Sequence, residues 1–153
     1  MKKTRPTVLF ASAIPEKMDR DFTLPVKFTH LLERLPIRER VKGKRVAVKM
    51  HVGGGMGYST IHPFFVRLLV DHIKEGQPAD VFVTDGYVTD AEKRGYTAET
   101  VGARVAPLLG PDGNDVIEIK TGWDRIPSVF VGRSVVEADC LINFSHIKGH
   151  GDC

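Results

Sequence analysis

Three apolar runs constrain this chain more than any other feature. "RVAVKMHV" (Arg45 to Val52), "DVFVTD" (Asp80 to Asp85) and "DCLINFSHI" (Asp139 to Ile147) are rich in Val and Ile, and helical patterns lie between the runs. Short β-branched runs alternating with helices predict a parallel sheet. The last run is continuous rather than alternating, as expected of a strand buried on both faces. The expectation is an α/β fold in three layers: a mostly parallel sheet of about four to six strands with helices on both faces. The 153 residues suit a single domain, 1–153.

The remaining elements follow from local pattern. "TVLFASAI" (Thr7 to Ile14) predicts a first buried strand. Phe28, Leu31, Leu32 and Leu35 fall on one face of a helix that Pro36 closes or kinks. After the glycine loop Gly53–Gly57, Thr60 or His62 can cap a second helix with Pro63 in its first turn. Val66, Leu69, Val70 and Ile73 form its core face, and Gly76 and Pro78 end it. Thr97 predicts the start of a third helix carrying Val101, Val105 and Leu108. "DVIEIK" (Asp115 to Lys120) reads as a strand, "SVFVG" as a short one, and Ser134 to Ala138 as a helical turn.

In open parallel sheets ligands bind beyond the carboxyl ends of the strands. Here those ends carry the polar residues. The Arg45 run ends on His51 and the glycine loop. The Asp80 run ends on Thr84 and Asp85, then Gly86 and Tyr87. The Asp139 run ends on Ser145 and His146, followed by Lys148 and His150. Lys49 shares a strand face with His51, and a lysine in a buried strand needs a carboxylate partner or an edge. Asp85 is the candidate partner, in a structural or a catalytic role.

The glycine loop matches neither nucleotide fingerprint. Counting back from Gly57 for a Walker A loop lands on Val52, with Tyr58 in the lysine position. The dinucleotide pattern fails because Gly53 and Gly55 lead to Tyr58. A strand–glycine–helix turn still exposes backbone N–H groups that favour anions. The candidate ligand-binding residues are therefore His51, Gly53, Gly54, Gly55, Gly57, Thr60 and Asp85. His146, Lys148 and His150 are the candidate catalytic residues, a histidine moving a proton and Lys148 neutralising an acidic ligand. A divalent metal on His51, His146 and His150 is the alternative, although Lys148 beside it opposes a bound cation.

Composition narrows the partners. The net charge of +3 is mild, and the basic stretches at Lys2–Arg5 and Arg38–Arg45 lack interleaved aromatics, so nucleic acid is not expected. No run approaches membrane-spanning length, and the apolar stretch before Ala11 is too short for a signal peptide. The expected location is cytoplasmic. Two cysteines, Cys140 and Cys153, make no disulfide framework, and Cys140 reads as a small buried hydrophobe.

"RVAVKMHVGG…GYSTIHPFFVRLLVDHIKEG", "VFVTDGYV" and "ADCLINFSHIKGHGDC", in that order, resemble the domain-of-unknown-function family numbered 362. That family is uncharacterised and often iron–sulfur associated. The resemblance implies a longer architecture of which residues 1–153 are the N-terminal part, continuing into a glycine-rich G-F-G-G…K-N segment and often a ferredoxin-like domain. A cluster needs four cysteine ligands, so no complete iron–sulfur site is expected in this chain. "IKGH" is also similar to a stretch of the nickel-pincer lactate racemases, which implies a proton-transfer role for His150 alone. The functional expectation is a small anionic ligand at the carboxyl edge, with acid–base or redox chemistry. The rival expectations are a non-catalytic binding or assembly subunit, forming a homo-oligomer or pairing with a complementing chain, and a metal-binding domain.

Overall fold

A computed structural model describes residues 6–53 and 60–147. Its centre is a parallel sheet of β1 (Arg45–Lys49), β2 (Asp80–Asp85), β3 (Arg104–Pro107) and β6 (Cys140–Asn143), in the order β3-β2-β1-β6. The helices are α1 (Leu24–Glu33), α2 (Ile37–Val41), α3 (Pro63–Glu75), α4 (Ala98–Val101) and α5 (Arg133–Val136). β4 (Val116–Trp123) and β5 (Ile126–Gly132) form a separate antiparallel hairpin. This is the expected α/β fold, with four parallel strands.

The core lies between one sheet face and the helices. Val46, Val48 and Met50 alternate along β1 and its extension, and Val81 and Val83 stand beside Val46 and Val48 on β2. Against them pack Val66, Leu69, Val70 and Ile73 of α3, all buried, as the helical period predicts. Pro63 occupies the first turn, and the cap is His62, whose Nδ1 accepts from Phe64 N–H at 3.2 Å. On the opposite sheet face Phe82 is fully buried, with the guanidinium groups of Arg104 and Arg45 at 4.4 and 5.4 Å from its ring centre.

Three expectations need correction. Thr7–Ile14 is not a strand: it has no strand partner among the described residues, and Val8, Phe10 and Ile14 are exposed. The helix from Thr97 lasts a single turn, α4. Gly102 stops it in a left-handed conformation (φ 78°), and Val105 lies on β3 instead. β6 is an edge strand with Leu141 about half exposed, not a strand buried on both faces. Cys140 is half-buried against the core.

The topology places the site. The chain steps outward from β1 to β2 to β3, then returns to lay β6 on the other side of β1. The rule of right-handed crossovers assigns the returning connection to the sheet face opposite α3 and α4. The order therefore reverses between β1 and β6, and their carboxyl ends flank the switch-point crevice where such sheets bind ligands.

Candidate functional site

Asp85 organises the carboxyl edge. It closes β2, its side chain is about nine-tenths buried, and it collects donors from β1 and from the loops. Oδ1 accepts from Lys49 Nζ at 2.9 Å and from Gly86 N–H at 2.8 Å. Oδ2 accepts from Val52 N–H at 2.9 Å and lies 3.3 Å from His51 Nδ1. Burial alone would raise the carboxyl pKa. The bonds from Lys49, Val52 and Gly86, with the lysine charge, outweigh it and hold the group below its ordinary value. Asp85 is thus an anion that fixes the backbone leaving β1. The Lys49–Asp85 pairing expected from strand-face geometry is present.

His51 lies beside that anion. With Oδ2 behind Nδ1, about half of the imidazole remains exposed at the edge. The two groups approach within ion-pair range without a hydrogen bond between them. Gly53 follows at φ 70°, and a Cβ there would lie 2.9 Å from both Arg94 Nη1 and Thr60 Cγ2. Arg94 donates from Nη2 to the Gly53 carbonyl at 2.6 Å, which brings a second cation to the glycine loop. Thr60 is half-buried there, bonded to the Tyr96 hydroxyl. That hydroxyl also donates to the Ile61 carbonyl. Burial pushes the Tyr96 pKa up against the opposing influence of Thr60 and Arg94, so the phenol stays protonated.

The β6 side supplies the other wall. Asn143 stands beside Lys49 in the ladder, and Phe144 N–H donates to the Lys49 carbonyl at 2.8 Å. Phe144 stacks on Phe28 of α1 at 5.6 Å, which carries the chain past the end of β1. Ser145 donates to the Asn143 side-chain oxygen, and His146 is exposed. The structure thus brings His51, Gly53, Thr60 and Asp85 to one edge. His146 makes no hydrogen bond or ion pair with them among the described residues. Gly54, Gly55, Gly57, Lys148 and His150 lie outside the described residues. Among the described residues no three His, Cys, Asp or Glu side chains form a metal-sized group.

Three groups at this edge were not visible in the sequence. Arg94 sits in "AEKRGY", an ordinary charged turn, and only the fold carries it to the Gly53 carbonyl. The backbone N–H groups of Val52 and Gly86 have no residue-type signature at all. Beyond Asp85, the same edge opens into a cavity of about 340 Å³ walled by Tyr87, Val88, Pro107 and Pro111. A cleft of about 530 Å³ lies at the opposite, amino edge near Lys74, Asp80 and Arg104. Strand-end chemistry favours the carboxyl edge.

Among the described residues no helix is long and apolar enough to cross a membrane. No curated protein and no solved structure matches the chain. The model of one family does match, over residues 46–153, a span that runs from the second residue of β1 through β6 and includes every candidate site residue. The chain belongs to the family described as Domain of unknown function (DUF362).

Proposed function

We propose that this chain binds a small anionic ligand in the crevice between the carboxyl ends of β1 and β6, and that His51 exchanges a proton with it. One observation carries the proposal: a buried, anionic Asp85 lies 3.3 Å from His51 Nδ1 at the switch point of the sheet. A half-exposed imidazole beside a carboxylate is suited to general acid–base work. Lys49 and Arg94 add positive charge at this edge. His146, Lys148 and His150, the last two outside the described residues, are assigned the second half of the site. Lys148 neutralises the anion, and His146 or His150 moves a proton on the far side of the ligand. Calorimetric titration of the full chain with acetate, lactate and inorganic phosphate tests this. Lys148→Ala and His51→Ala each weaken binding of the preferred anion by about tenfold, a typical loss for one charge-assisted contact. Unchanged affinity in both variants overturns the proposal.

A second reading, an assembly subunit that pairs with another copy of itself, draws on one further observation. Trp123, Ile126 and Phe130 of the β4–β5 hairpin are largely exposed, and grouped apolar exposure marks interaction surfaces.

A further inference from the structure

The β4–β5 hairpin stands apart from the core. None of its residues belongs to the buried cluster or packs against that cluster. It is held at its base, where Arg133 Nε donates to Asp115 Oδ1 at 2.8 Å and Gly132 abuts Leu108. A lone two-stranded hairpin is marginal in water. One face of this one is apolar: Ile117 pairs with Val131 and Ile119 with Val129, and Ile119 and Val129 are each 39% exposed. The other face carries Glu118 opposite Phe130 and Lys120 opposite Ser128.

The two outer edges differ. β5 contains Pro127, which has no N–H and is a common device for blocking an edge. β4 has no proline, so its edge can take another strand. If the occupant is β4 of a second copy, two-fold symmetry makes the pairing antiparallel. Only registers that put a residue opposite itself keep the two apolar faces on one side. Three such registers are centred on this stretch. Centring on Glu118 sets two carboxylates against each other, and centring on Lys120 sets two ammonium groups against each other. Centring on Ile119 places Glu118 opposite the other copy's lysine at 120, twice by symmetry. It also continues the apolar row Val129–Ile119 into its symmetry mate. Opposite charges at facing positions stabilise a strand pair, and like charges destabilise it.

We infer that the β4 edge is a self-association surface, on which two copies join their hairpins into a four-stranded antiparallel sheet centred on Ile119. This rests on the assembly reading and names its surface. Sedimentation equilibrium of the full chain, with circular dichroism to confirm folding, tests it. The wild type forms dimers. Glu118→Lys and Lys120→Glu, both exposed positions, each weaken dimerisation by about tenfold, because two facing pairs turn from attractive to repulsive. The double charge swap restores it. A dimer indifferent to either reversal overturns this surface while leaving the assembly reading intact. A monomer at all concentrations overturns both.

Discussion

At the scale of single residues, Asp85 does two things with one carboxylate. It terminates the ladder by accepting Val52 and Gly86 N–H groups, and it pairs with Lys49 and lies beside His51. Asp85→Ala leaves a partly buried lysine and two amides without their acceptor. The expected loss is about 2–3 kcal/mol of unfolding free energy by urea titration. Asp85→Asn keeps the shape but presents an N–H₂ to one of the donors, and loses about 1–2 kcal/mol. Because the folded pKa lies below the ordinary 3.8, the wild-type contribution is complete above that pH. It fades as the pH falls through the lower folded value, and acid unfolding curves of Asp85→Asn lack that component. The Lys49–Asp85 pairing was legible because strand parity and the burial cost of a lone lysine both point to it. Arg94 was not legible: its role depends on a turn more than forty residues from Gly53.

Among the elements, α3 was readable and α4 was not, for a physical reason. Val66, Leu69, Val70 and Ile73 keep the helical period across a stretch free of internal Gly or Pro. Val101 and Val105 keep it too, but Gly102 intervenes and adopts the left-handed conformation that ends helices. Thr7–Ile14 shows the other limit of local pattern. Val, Leu, Phe and Ile favour a pleated surface, yet a strand needs a neighbour's backbone, which composition does not specify. The α2–α3 contact has its own titrating joint. His72 on α3 is buried and faces Arg38 of α2, whose Nη2 lies 3.3 Å from Nδ1, and Glu75 pairs with the same arginine. Burial first, and then the Arg38 charge, hold the His72 pKa below its ordinary 6.5, against a weaker pull from Glu75, Glu33 and Glu39. The unfolded chain therefore takes up the proton at a higher pH than the folded one. Stability from this site is complete above pH 6.5 and declines as the pH falls through the lower folded pKa. Urea midpoints between pH 7.5 and 5 (about the range over which an ordinary imidazole titrates) fall for the wild type, and His72→Phe flattens that fall.

For the molecule as a whole, order of strands matters more than any motif. No nucleotide fingerprint is present, yet the adjacency of β1 and β2 gathers a half-exposed histidine, a buried carboxylate and the left-handed Gly53 at one edge. The meeting of the β1 and β2 ends was legible as polar strand ends. The adjacency of β1 to both β2 and β6 was not, because register is a property of the sheet. The hairpin lies outside that sheet and is free to carry a separate function. The central claim is an anion site at the carboxyl edge, and the most direct measurement is an amide chemical-shift titration of the full chain with acetate and inorganic phosphate. The predicted result is saturable shifts at Val52, Gly53, Gly86 and Ser145 to Ile147, abolished by Lys148→Ala. Shifts confined to the amino-edge cleft around Lys74 and Arg104, or no saturable shift at all, would contradict it.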